Sequence, residues 1–358
     1  MKLIVILLTG LISVLSGCAS LQSGGATDEG AYAEDSDLFQ PETFESYGSF
    51  VVSAGNEEKP VNMRLWYSRP DQVNADTPVI MVMHGGRRDA NKYRDYWGAH
   101  AKRHGVLIVA PEISEEDFPT GWGYQTGNWV TPDSDSTDES KGQRNPPEQS
   151  SFAALERAFD ALKEKFSLDA DTYDIWGHGS GAQFVTRMIM LYPEARIDRG
   201  IAANSGTYTF PDWTLPLRYG LKNTGVEPED LKPSYKHHLV IMLGSEDDDP
   251  SHRLLSQLDI AIAQGEHRVK KGQNFHKANR AQAEDLNTEY NWELQTVYGI
   301  GHSGRQMSEA GAEFLLEGKT EKALFSDEME RKRRDDADEP EESNELLRGS
   351  DDGEESPF

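Results

Sequence analysis

Four short segments of this 358-residue chain carry groups suited to acyl chemistry, and each follows an apolar run. MHGGRRD begins at Met83, YDIWGHGSGAQF at Tyr173, LGSEDDDP at Leu243 and VYGIGHSGRQM at Val297. A serine hydroxyl (Ser180), an imidazole (His302) and a strand-end carboxylate are the set with which a nucleophile is generated and its proton handled. His302 lies between Gly301 and Gly304 and on no apolar helical stripe, which favours chemistry over packing. Two carboxylates compete for the acid, Asp247 and Asp249, and the cluster Glu246 to Asp249 also reads as a solvated loop or a weak calcium site. Gly85 and Gly86 leave bare backbone that a developing oxyanion can approach closely.

Taken together, these segments resemble the α/β-hydrolase superfamily, and closely the esterases related to polyhydroxybutyrate depolymerases and feruloyl esterases, over roughly Pro78 to Met307. The order elbow, acid, histidine is the one that fold uses. The resemblance implies a serine-type ester hydrolase acting by acyl transfer on a small-molecule or polymer ester. Ser180 would attack, His302 would act as base and then acid, and Asp247 would orient it. Backbone amides near Gly85, Gly86 and Gly181 would hold the oxyanion. No metal or organic cofactor is implied.

The elbow departs from the family. Relatives read G-H-S-A-G-A-Q, and aligning GH and GAQF without a gap puts the nucleophile position on Gly179, with serine displaced to Ser180. Either the turn keeps its ordinary frame, with Gly177 and Gly181 as small flanks and no nucleophile, or it shifts by one residue, with His178 and Ala182 as flanks. The first alternative describes a non-catalytic ligand-binding or interaction lipoprotein on a hydrolase fold, and the second an active esterase.

The elements that must position these groups follow from hydrophobic periodicity. VIMVM (79–83), VLIVA (106–110), YDIW (173–176), IAAN (201–204), LVIML (239–243) and LQTVY (294–298) read as six core strands, most of them apolar on consecutive residues as in a sheet covered on both faces. Phe152, Leu155, Phe159, Leu162 and Phe166 make one helical stripe over 151–166, with Ser150 or Ser151 to cap it. Residues 50–67 suit an antiparallel edge hairpin. The expected fold is a single α/β-hydrolase domain over 47–325, a mostly parallel sheet with helices on both faces. A long stretch from Phe118 to Gln149 without periodicity should border the site. Its Trp122, Tyr124 and Trp129 read equally as substrate-facing aromatics or as the loop's own packing.

The ends read differently. Residues 1–17 have the layout of a signal peptide, and Leu-Ser-Gly-Cys ending at Cys18, the sole cysteine, resembles a lipobox. The apolar run Leu3 to Leu15 is shorter than the roughly 20 residues of a membrane span. Lipidation of Cys18 would tie the protein to the membrane, and Ala19 rather than aspartate favours the outer membrane. Residues 18–46, rich in Gly, Ser and acids, suit a flexible tether. Residues 326–358 hold 14 acidic against 5 basic residues and read as a disordered tail. The net charge of −26 repels nucleic acid and anionic lipid.

Overall fold

The structure, a computed structural model, describes residues 46–133 and 142–318. The leader with Cys18, nearly all of the tether, the acidic tail and part of the long loop lie outside the described residues.

An eight-stranded sheet organises the rest, in the order β1-β2-β4-β3-β7-β8-β9-β10. β1 (Tyr47–Ser53) and β2 (Asn62–Ser68) form the antiparallel edge hairpin, and β2 pairs antiparallel with β4 (Leu107–Glu112). β3 (Val79–Met83), β7 (Tyr173–His178), β8 (Ile197–Ala203), β9 (His238–Gly244) and β10 (Trp292–Val297) run parallel with β4.

The consecutive apolar residues of the central strands serve two cores. In β3, Val79, Met81 and Met83 enter one cluster while Ile80 and Val82 enter the other, and β9 divides its residues the same way. Side chains alternate across a strand, so a strand covered on both faces has no polar side to show. α1 (Ala90–His104) and α8 (Gly304–Glu317) cover one face through Trp97, Ala101, Met307 and Ala310. α3 (Ser151–Phe166), α4 (Ser180–Leu191) and α7 (Arg268–Asp285) cover the other through Phe159, Val185 and Phe275. α3 spans the expected residues, with Ser150 as its cap accepting from the Ala153 amide at 3.0 Å. β8 begins four residues before its apolar run: Ile197 is buried in the core, and Arg199 pairs with Asp174 on β7.

Between β4 and α3 the described residues are not structureless. They include the short helix α2 (Thr120–Tyr124) and a ribbon of β5 (Val130–Thr131) with β6 (Gln143–Arg144). α5 (Leu231–Lys236) and α6 (Asp259–Ile262) complete the α-helices of the described residues. Since β3, β7, β8, β9 and β10 are parallel, everything that follows their carboxyl ends gathers at one edge, where open α/β sheets place their sites.

Candidate active site

At the end of β7 the chain turns through Gly179, with φ 57° and ψ −108°, and enters α4 at Ser180. The flanks decide the frame of this turn. A Cβ on Gly177 would stand 2.4 Å from the carbonyl carbon of Gly181, and one on Gly181 would stand 2.5 Å from the carbonyl oxygen of Met83. Neither position admits a side chain, so these are the two small flanks and Gly179 is the apex between them. The positive φ of the apex also suits glycine. His178, the flank of the shifted frame, is instead buried beside Trp176 and Tyr93.

Sequence leaves Ser180 as a candidate nucleophile, and the structure places it one residue past the apex. Its hydroxyl accepts from Gln125 Nε2 at 2.9 Å and lies against Gly86, where a Cβ would be 3.1 Å away. The group facing the apex is His302: a Cβ on Gly179 would meet its Cε1 and Nε2, both at 3.7 Å. With Gly179 at the apex, the amide that comes after it belongs to Ser180 and not to Gly181, whose Cα is packed on Met83.

Asp247 and His302 are brought together. His302 Nδ1 lies 2.7 Å from Asp247 Oδ2, with the carboxylate 2 % exposed and the imidazole 16 %, so of the two only the imidazole is open to a ligand. Asp249 is exposed, and its carboxylate accepts from the amide and hydroxyl of Ser251. Burial pushes the Asp247 carboxyl up, but the hydrogen bond and charge of His302, with the charge of Arg268, leave it below its ordinary value.

Several supports carry little signal in the sequence. Arg268, the first residue of α7, donates to Asp247 Oδ1 at 3.0 Å and reaches His252 Nδ1 at 3.2 Å. Asn204, just past β8, accepts from the Gly244 amide at 2.8 Å and donates to the Gly301 carbonyl at 3.0 Å. One side chain thus pins the acid turn to the histidine loop. His84 braces the HGG turn, donating from Nδ1 to the Gly85 carbonyl at 2.8 Å and accepting at Nε2 from the Ile113 amide at 3.1 Å. Burial holds its pKa down at about 3, so it is neutral.

The three loop aromatics separate. Tyr124 and Trp129 are buried, the first donating to the His84 carbonyl and the second to the Thr224 carbonyl, because a buried phenol or indole needs an acceptor. They pack the loop and do not face a substrate. Trp122 is half-buried with the Arg218 guanidinium 4.6 Å from its ring centre. Behind Gln125, the buried Arg187 donates to the Gln125 and Arg218 carbonyls, Gln183 Oε1 and the hydroxyls of Thr207 and Thr209.

A parallel sheet entered by an antiparallel hairpin, a glycine-flanked elbow, and an acid and histidine following in that order define the class: the chain belongs to the α/β-hydrolase superfamily. It is similar to a poly(aspartic acid) hydrolase from a Sphingomonas species, 35% identical over 75% of this chain and 97% of that one, with a TM-score of 0.68. It is also similar to a poly(3-hydroxybutyrate) depolymerase from Bordetella parapertussis, 28% identical over 79% of this chain and 92% of that one, with a TM-score of 0.69. No protein-family profile matches the chain, and no curated protein matches it.

Proposed function

We infer that the protein hydrolyses carboxylic esters or closely related acyl bonds, with His302 as base and then acid and Asp247 as its orienting carboxylate. The observation that carries this reading is the 2.7 Å contact between Asp247 and His302 Nδ1, which leaves Nε2 directed at the apex of the elbow. Substrate class is supported by the two similar hydrolases, whose names specify polymers of short acyl units. Hydrolysis of 3-hydroxybutyrate oligomers, feruloyl esters, poly(aspartic acid) and nitrophenyl esters should be measured for the wild type and for His302→Ala. The variant is expected to lose at least about 100-fold on the preferred substrate, the usual worth of a positioned base. Equal, background rates for both would sink the enzyme reading.

One observation favours a second reading, a non-catalytic binding module: the apex is Gly179, and removing the serine of a comparable triad costs about 2 × 10⁶ in turnover. Calorimetric binding of the same compounds without turnover is its signature.

Residues 1–17 and Cys18 support a lipid-anchored protein of the bacterial envelope, with Ala19 favouring the outer membrane and residues 18–46 serving as the tether. Cys18→Ser should move the protein from the membrane pellet to the soluble fraction. Retention in the pellet would refute the anchor.

A further inference from the structure

We propose that the nucleophile of this site is a water molecule held over the α-carbon of Gly179 and deprotonated by His302 Nε2, so that hydrolysis proceeds in one displacement without an acyl-enzyme. The proposal rests on the hydrolase reading and specifies how that site works.

Three observations converge. The glycine flanks fix Gly179 at the apex, so no hydroxyl projects from it. The room a side chain would take there is real: outside its two chain neighbours, a Cβ meets nothing nearer than the His302 ring at 3.7 Å, an ordinary van der Waals contact. Between that point and the ring there is space for an oxygen to be placed at the roughly 2.8 Å of a hydrogen bond to Nε2. The third is Ser180, the alternative nucleophile, whose hydroxyl is engaged by Gln125 against Gly86, on the HGG side of the turn. Gly179 and Ser180 are both half-buried, so a small molecule reaches the apex.

In the reaction, a lone pair of the water oxygen forms a bond to the acyl carbon while its proton passes to His302 Nε2. The carbonyl π pair moves onto oxygen, where the amides at the start of α4 and in the HGG turn receive it. Collapse of this intermediate breaks the carbon–oxygen bond to the alcohol, and the proton on His302 goes to the departing alkoxide. Acid and alcohol leave, and the imidazole returns neutral. Asp247 holds Nδ1–H throughout, as it would for a serine nucleophile.

The test combines trapping with substitution on the full-length protein. Wild type should hydrolyse ester without a pre-steady-state burst of alcohol, and intact mass after fluorophosphonate treatment should show no adduct. Ser180→Ala should cost less than about tenfold in turnover, whereas Gly179→Ala, whose methyl comes between the α-carbon and the water and crowds it out, should cost at least about tenfold. Gly179→Ser should gain a stoichiometric adduct at residue 179. A wild-type adduct on Ser180, lost together with turnover in Ser180→Ala, would overturn the water nucleophile and leave the hydrolase standing. Full turnover in Gly179→Ala, with its fold verified by circular dichroism, would also overturn it. If wild type and His302→Ala are equally inert while Gly179→Ser turns over, the hydrolase reading itself falls.

Discussion

Asp247 receives hydrogen bonds from two directions in a place nearly closed to solvent: His302 on one oxygen, Arg268 on the other. An asparagine there could accept from only one of them, and its amide would meet the other donor with a donor of its own. His302 would then lose the acceptor that keeps its proton on Nδ1, and Nε2 would cease to be a base. Asp247→Asn is expected to lower kcat by at least about 100-fold, while Asp249→Asn, whose exposed carboxylate accepts from Ser251, should stay within a few-fold. The reverse order in steady-state kinetics would reassign the acid. Sequence left the two aspartates undecided because both follow the same strand end, and a difference of two residues in a tight turn becomes burial or exposure only in three dimensions.

Arg187 plays at the level of elements the part that Asp247 plays at one residue. It rises from α4 and satisfies acceptors on the α2 loop, on the segment after β8 and at Arg218, all of them neutral. Burial, with Arg218 close by, lowers its pKa to about 9, so it is still charged at neutral pH. Arg187→Met would keep the volume and strand several buried oxygens, and we expect a loss of roughly 2–4 kcal/mol in urea unfolding. A neutral effect would show that these loops hold themselves. What could be read in advance at this scale was the apolar content: the six runs became strands and 151–166 became a helix, because burial on two faces or along one stripe writes itself into consecutive residues. What could not be read were bonds that join distant polar residues. Asn204 reads as the last residue of the run 201–204, and no motif marks Arg268, because their partners stand 40 and 21 residues away. The frame of the elbow is equally hidden, since GHGSG permits two and it is the close packing of Gly177 on Gly181 and of Gly181 on Met83 that selects one.

For the whole molecule, the same buried groups set the response to acid. The folded pKa of His84 is about 3 against 6.5 unfolded, so between those values the unfolded chain binds the extra proton and stability falls as pH falls. Asp247, also depressed, adds to the loss only below its ordinary value of 3.8. Surface carboxylates act in the opposite sense, since protonating them relieves the repulsion of a chain with net charge −26. Comparing wild type with His84→Gln cancels that background. The variant should be less stable at pH 7, having lost the braces to Gly85 and Ile113, and the gap should narrow by up to a few kcal/mol by pH 4. A gap that stays constant would mean that His84 is protonated by local opening of the HGG turn.

The grip of Asn204 on both Gly244 and Gly301 bears on how the protein fails when heated. Acid turn and histidine loop are fastened to each other as well as to the sheet, so neither can work loose while the other stays in register. Turnover should therefore persist up to the unfolding transition and vanish with it. In Asn204→Ala the two curves should part, with activity fading several degrees before the fold does. If they stay together, the alignment of acid and base is maintained by the strands alone.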